Sequence, residues 1–180
     1  MLHRFPLRVV VAMLLLPLIV VAGTSAVAKT PKASKNVTLQ MKGKLSVKKN
    51  KFIKDTARFA PAVVLIRSGG TLTLRNRQDA PHTFSVVQKS DVPRTSNKIL
   101  GCGEPGTICD TLFTAHKPDA DGNPTLPVVD VGTAGIDQPG DSIVLNPKAT
   151  QKVKVSAPKG KSLHYLCGIH AWMQGQVKSR

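Results

Sequence analysis

Hydrophobic and polar positions alternate in short runs along most of the chain. In the first run, Val37, Leu39 and Met41 alternate with polar residues, a period of two that is typical of a half-buried β-strand. Turn-forming residues, such as Ser68-Gly69-Gly70 and residues 157–160, separate later runs. Short apolar or alternating runs predict further strands at residues 62–66, 71–75, 83–87, 142–145, 151–155, 163–166 and 174–178. Many short strands divided by turns predict an all-β sandwich or barrel.

Residues 89–140 break this pattern. They are rich in Gly, Pro, Asp and Thr and have no sustained hydrophobic period, so we interpret them as a long insertion between two strands. Cys102 and Cys109 lie seven positions apart in the insertion, and a turn-like Gly-Glu-Pro-Gly stretch follows Cys102. A local disulfide is the simplest interpretation of this spacing.

The N-terminal region has the composition of a targeting sequence. Two arginines and no acid precede the apolar residues 9–22, and Ala26-Val27-Ala28 then offers a cleavage site. Basic, apolar and small residues in this order predict a secretory signal peptide at residues 1–28. Retention of the segment as a membrane anchor is the alternative. Residues 29–58 would then form a basic N-terminal segment, and residues 59–180 the main domain.

Composition and charge limit the classes of protein that the chain resembles. Of its 180 residues, 41% are hydrophobic, which excludes a disordered protein. The net charge is +16, and nine lysines lie between Lys29 and Lys54. This charge suits an anionic partner or a membrane surface, with a solvated basic face as the alternative. Nucleic acid is a poor candidate, because export would separate the chain from it and aromatic residues are only 4%.

A cysteine outside the predicted disulfide marks the candidate chemistry. An unpaired Cys167 in an exported protein needs a partner chain, a reactive role or a metal. Cys167, His170 and Met173 form a C-x2-H-x2-M run between two predicted strands, and His82 follows the strand at residues 71–75. Thiolate, imidazole and thioether are soft ligands that suit copper. Two histidines, one cysteine and a weak axial methionine are the ligand set of a type 1 copper site.

At these residues the chain resembles the cupredoxins, and most closely the amicyanin and plastocyanin type. Residues 76–82 resemble the segment that bears the first histidine ligand, and residues 165–177 resemble the ligand loop with the amicyanin spacing between histidine and methionine. Phe59-Ala60-Pro61 and the residues after it are similar to an early cupredoxin strand, though less specifically. The insertion at residues 89–140 departs from the pattern. So does Thr83, where the relatives have an asparagine that ties the two ligand loops together.

The resemblance implies a Greek-key β-sandwich at residues 59–180 with one type 1 copper ion at one end. Cys167 would supply the thiolate, His82 and His170 would complete the trigonal plane, and Met173 would be the axial ligand. The backbone N–H of Thr83 would donate to the Cys167 sulfur. Such a protein is not an enzyme: it carries single electrons between redox partner proteins outside the cytoplasm, in the periplasm or the extracellular space. We expect a monomer without a membrane span after cleavage.

The resemblance also implies that His170, on the outer loop, is the exposed edge through which the electron passes. Trp172 beside it either lines a docking surface or packs on the end of the sandwich.

Two other classes of copper protein are alternatives. A storage or delivery protein often uses clusters of methionine and histidine, but the four methionines here are scattered. A multicopper oxidase or nitrite reductase needs additional histidine pairs, and after the signal peptide only His116 and His164 remain besides the two ligands. A surface position is the expectation for His164. A second metal site of His116 with Asp119 and Asp121 is possible, although a plain turn at those aspartates is the commoner structure.

Overall fold

The structure, a computed structural model, describes residues 32–180, so the predicted signal peptide lies outside the described residues. The described chain forms eleven strands and two short helices. The strands are β1 (Ser34–Lys42), β2 (Leu45–Lys48), β3 (Phe52–Asp55), β4 (Arg58–Ala60), β5 (Val63–Asn76), β6 (His82–Val87), β7 (Val128–Val129), β8 (Ser142–Leu145), β9 (Thr150–Lys154), β10 (Ser162–Leu166) and β11 (Gln174–Ser179), and the helices are α1 (Ser96–Leu100) and α2 (Ile108–Ala115).

The strands predicted from the hydrophobic pattern are present. In β1, Leu39 and Met41 are fully buried and alternate with partly or fully exposed residues, as the period of two predicts. The bounds of five further strands differ from the predicted ones by at most one residue at each end: β6, β8, β9, β10 and β11. The all-β fold class is confirmed.

The predicted turn at Ser68-Gly69-Gly70 is wrong, because β5 continues through it. The first half of β5 pairs with β11 and the second half pairs with β9. Gly69 has a φ of 75°, and a Cβ on Gly70 would lie 2.5 Å from the carbonyl oxygen of Lys35. The two glycines therefore let one long strand shift its register and change neighbours, which a local pattern cannot distinguish from a chain reversal.

Nine strands form one mixed sheet in the order β4-β1-β5-β11-β10-β6-β8-β7, with β9 pairing with β5. The β1–β5 and β5–β11 pairs are parallel, and the others are antiparallel. A single core cluster contains Leu39 and Met41 of β1 together with Phe84 of β6 and Ile143 of β8. Strands from distant places in the sheet order thus enclose a common core, as the predicted sandwich requires.

The predicted basic N-terminal segment contributes to this sheet, since β1 pairs with β4 and β5. β2 and β3 form a separate two-stranded sheet, the β2–β3 hairpin. The division of the chain at residue 59 stays a prediction. Among the described residues, no helix has the length and apolar character needed to span a bilayer.

The insertion packs on the outer face of the sheet and contains the two helices, which the sequence did not predict. Thr95 and Thr107 cap them by accepting hydrogen bonds from Lys98 N and Asp110 N. A second apolar cluster joins the insertion to Val87 of β6 and Leu166 of β10; its insertion members are Val92, Cys102, Cys109 and Leu112. The predicted disulfide between Cys102 and Cys109 is present.

Candidate metal centre

Three of the four predicted ligands converge at one end of the sheet. His82 is the first residue of β6, whereas Cys167 and His170 lie in the loop after β10. The Nδ1 atoms of His82 and His170 lie 3.7 Å and 3.8 Å from Cys167 Sγ. All three ligand atoms fall within 4.8 Å of one another, and no other group of His, Cys, Asp or Glu in residues 32–180 is arranged to hold a metal ion.

Met173 closes the same loop. Its N–H donates to His170 O at 2.8 Å, and Cys167 N–H donates to Met173 O at 3.0 Å. These bonds fold the loop into a compact turn that returns the chain into β11. Met173 is buried in the same apolar cluster as Cys167. Axial ligation by its sulfur stays a prediction.

The loop before His82 is held by Asn76, which is 1% exposed at the end of β5. Its Nδ2 donates to Ala80 O at 2.8 Å and also to the carbonyl oxygens of Leu145 and Asn146. Its Oδ1 accepts from Gln78 N at 2.9 Å. One buried amide therefore satisfies several backbone groups of a tight loop, which fixes the point at which β6 begins.

The far nitrogen of each predicted imidazole ligand faces a side-chain oxygen. Gln78 Oε1 is hydrogen-bonded to His82 Nε2, and Asp55 Oδ2 lies 3.9 Å from His170 Nε2. The hydrogen bond to Gln78 places the His82 proton on Nε2 and leaves its Nδ1 lone pair free for a metal. The contact of Asp55 with His170 is longer than a hydrogen bond and acts through charge. Sequence reasoning missed both partners. The available signal for Asp55 is that it is the first acidic residue of a strongly basic segment.

The three side chains are mostly buried, and burial is the largest cause of the pKa shift of each. Burial, assisted by the nearby His170, lowers the pKa of His82 to about 4. Burial also lowers the pKa of His170, opposed by Asp55. Burial raises the pKa of the Cys167 thiol, opposed by the N–H groups of Thr83, His170 and Ile169. The metal-free site thus holds neutral imidazoles that are ready to bind, and a metal must displace the thiol proton.

Thr83 ties the two ligand loops together twice. Its backbone N–H donates to Cys167 Sγ at 3.3 Å, as the resemblance implied. Its hydroxyl accepts from Gly168 N–H at 2.7 Å. The side chain that departs from the amicyanin pattern therefore makes a loop-to-loop hydrogen bond of its own.

The two histidines differ in exposure. His82 is fully buried, whereas the side chain of His170 is 16% exposed. Trp172 contacts the His170 ring edge-on at 5.2 Å between centroids and is 43% exposed. Ile169 is also exposed. His170 has the predicted outer position, with Trp172 against its ring and with Lys44, Asp55 and Gln78 among the residues that line the adjoining cavity.

Two nitrogen donors and one buried sulfur in this arrangement suit copper. These are the donor atoms that the cupredoxin resemblance implied. The resemblance seen in the sequence is confirmed by the converging ligand atoms and by the Thr83 contact to the thiol, and the donor set fits a type 1 copper ion.

No protein-family model and no curated protein matches the chain. Among solved structures it is similar to a purple cupredoxin from Nitrosopumilus maritimus, with 14% identity over 79% of this chain and 98% of that one and a TM-score of 0.43. Auracyanin A from Chloroflexus aurantiacus has 16% identity over 81% and 98%, with a TM-score of 0.44. A blue copper oxidase from Nitrosomonas europaea, 14% identical, is matched over 81% of this chain but only 38% of its own length, at a TM-score of 0.38.

The other two histidines of residues 32–180, His116 and His164, lie away from the triad. Asp119 accepts from the N–H groups of Asp121 and Asn123, so the predicted turn forms there. His116 is 1% exposed, and its ring nitrogens contact Leu126 O and Ser142 Oγ instead of the aspartates. The alternative of a second metal site at His116 and these aspartates is therefore wrong. His164 is half-buried and pairs with Gln176.

Proposed function

We propose that this protein carries single electrons between redox partners through one copper ion bound by His82, Cys167, His170 and Met173. The observation that carries the proposal is the convergence of two imidazole Nδ1 atoms on a buried thiol. Copper bound there supplies a one-electron couple between Cu(I) and Cu(II).

The protein's own contribution is to hold the ligands in one geometry. Gln78 orients the His82 imidazole, the Asp55 carboxylate lies close to His170 Nε2, and the Thr83 N–H donates to the sulfur. Burial of Cys167 and His82 excludes water from the thiolate side. Because the ligands need to move little between the Cu(I) and Cu(II) states, the reorganisation energy of electron transfer is small. The partly exposed His170 edge is the route for the electron.

The β2–β3 hairpin supports a partner with an anionic surface. Its exposed apolar residues Leu45, Val47 and Ile53 share one face with Asp55, whose carboxylate approaches His170. Five exposed lysines lie in or next to the same hairpin, and two of them, Lys48 and Lys54, are on its opposite face: Lys44, Lys48, Lys49, Lys51 and Lys54. A cationic hairpin with one apolar face beside the electron route fits a protein whose surface combines an apolar patch with carboxylates.

Location outside the cytoplasm and a monomeric state complete the proposal. The Cys102–Cys109 disulfide supports an oxidising compartment, since stable disulfides are rare in the cytosol.

Cyclic voltammetry of the protein loaded with one equivalent of copper tests the electron-carrier function. We expect a reversible one-electron couple. We also expect ferrocyanide to reduce the wild-type protein faster than a Lys44→Glu/Lys54→Glu variant, because the added carboxylates of the variant would repel this anion. A variant with Lys152→Glu and Lys154→Glu in β9 is the matched control for net charge. Copper that passes rapidly to a chelator and gives no reversible couple would favour storage or delivery instead.

A further inference from the structure

The outer face of β6 carries a buried polar row that the electron-carrier function does not use. The inner face of this strand points His82, Phe84 and Val86 toward the core, whereas Thr83 and Ser85 alternate onto the face that the insertion covers. Ser85 is fully buried, and its neighbour on β8, Ser142, is fully buried as well. Buried hydroxyls require partners, because an unsatisfied one costs free energy.

These hydroxyls form one continuous chain that ends at the metal loop. His116 Nδ1 lies 2.6 Å from Leu126 O, and His116 Nε2 lies 2.7 Å from Ser142 Oγ. Ser142 Oγ lies 2.6 Å from Ser85 Oγ, which in turn lies 2.9 Å from Thr83 Oγ1. Thr83 Oγ1 also accepts from Gly168 N–H, next to Cys167. Hydrogen bonds thus link the insertion to the thiol loop without a gap.

The far end of the chain is fixed by the insertion itself. His116 is the C-cap of α2, and its N–H donates to Phe113 O. The other end of α2 carries Cys109, which the disulfide joins to Cys102. The imidazole is therefore held from both sides, by its helix and by Leu126 O. A fixed group at one end orients each hydroxyl in turn toward the other end.

We propose that His116 is a positioning residue for the thiol loop. Through Ser142 and Ser85 it holds the Thr83 hydroxyl in the orientation that accepts from Gly168 N–H, and it thereby fixes the backbone around Cys167. The inference deepens the proposed electron-carrier function and rests on it for its effect on the metal. The hydrogen-bond chain itself belongs to the metal-free protein and is tested there.

The first experiment measures amide hydrogen exchange at Gly168 in the metal-free protein. We expect roughly ten-fold faster exchange in His116→Leu and in Ser85→Ala, which corresponds to the loss of about one hydrogen bond. Val92→Ala is the control, because Val92 packs in the same insertion cluster but has no place in the chain. Ser85→Ala removes only one oxygen atom, so it interrupts the same chain with a smaller change and can still be measured if His116→Leu does not fold.

A double-mutant cycle separates positioning from general loosening of the insertion. Thr83→Val removes the hydroxyl and keeps the N–H that donates to Cys167. If His116 acts through that hydroxyl, His116→Leu adds no further change in Gly168 exchange to the Thr83→Val protein. Additive effects, unchanged exchange in the chain variants, or equal acceleration in Val92→Ala would overturn the proposal.

With copper bound, the same variants should shift the reduction potential and the energy of the thiolate-to-copper absorption band, whereas Val92→Ala should leave both unchanged. A wild-type protein that shows no such band would contradict the proposed function but leave the exchange result standing. Altered exchange with an unmoved band and potential would overturn the positioning role at the metal.

Discussion

The two histidines reach the thiol from regions that are built differently. The His82 side is internal: Asn76 donates to backbone carbonyls of its own loop and of the end of β8, and the imidazole is fully buried. The His170 side is peripheral: its imidazole meets Asp55 of the β2–β3 hairpin and the edge of Trp172, and it is partly exposed. Under the proposed function, the His82 side would fix the metal position and the His170 side would face the redox partner.

Replacement of each histidine by glycine should give the largest contrast. We expect both His82→Gly and His170→Gly to lose the intense copper absorption, because each removes an equatorial ligand. Added imidazole should restore it in His170→Gly, where the vacated space opens to solvent, and should fail in His82→Gly, where the position is enclosed. Visible spectra of copper-loaded samples with and without imidazole measure this. Equal rescue of both variants would remove the distinction between the two sides.

The loop anchors should differ in their effect on stability. Asn76→Ala removes an amide with four backbone partners and should lower the free energy of unfolding by about 1–3 kcal/mol, because buried carbonyls lose their donor. Gln174→Ala is the counterpart on the other side: its Nε2 donates to Pro93 O and Ala171 O in a half-buried setting. We expect Gln174→Ala to lower the free energy of unfolding by less than Asn76→Ala does. Urea denaturation of the metal-free proteins tests the order, and a larger loss for Gln174→Ala would reverse it.

Acid should destabilise the metal-free protein through the His82 side. The pKa of His82 is lowered from 6.5 to about 4 in the folded state, so the unfolded chain binds a proton at a higher pH than the folded chain does. The stabilisation from keeping this imidazole neutral is therefore present above pH 6.5 and is lost as the pH falls toward 4. Urea denaturation across this range should show a falling free energy of unfolding. The decline should be shallower in His82→Gln, and an identical decline in that variant would count against the assignment.

Neutralising Asp55 should produce the smallest effect. Its carboxylate lies near His170 Nε2 and favours the more positive, oxidised state of a bound copper ion. Asp55→Asn should raise the reduction potential by roughly tens of millivolts, and less at high salt, because the group is partly solvated and screened. Asp79→Asn, at an exposed position paired with Lys148, is the matched control. A potential that falls in Asp55→Asn would contradict this role.

The sequence predicted the features that depend on local pattern. Alternation identified β1 and the strands that carry the ligands, and the short spacing from Cys167 to Met173 identified the loop. The Cys102–Cys109 pair was also predictable, because seven residues and a turn suffice to bring the two cysteines together. Local spacing determines each of these features.

Features that depend on long-range packing were not predictable. The helices α1 and α2 are too short to show a clear hydrophobic period, and tertiary contacts with β6 and β10 stabilise them. The contact of Asp55 with His170 spans more than a hundred residues of sequence. The same holds for His116, because its partners, the Ser142 hydroxyl and the Leu126 backbone carbonyl, have no local signature in the sequence.

The visible spectrum of the protein after addition of one equivalent of Cu(II) tests the central claim most directly. We predict an intense thiolate-to-copper absorption band that ascorbate bleaches and reoxidation restores. The band should be absent from Cys167→Ala and retained in Cys102→Ala/Cys109→Ala, in which only the disulfide is removed. A wild-type protein that binds Cu(II) without colour, or a Cys167→Ala variant that keeps the band, would contradict a type 1 copper site at His82, Cys167 and His170.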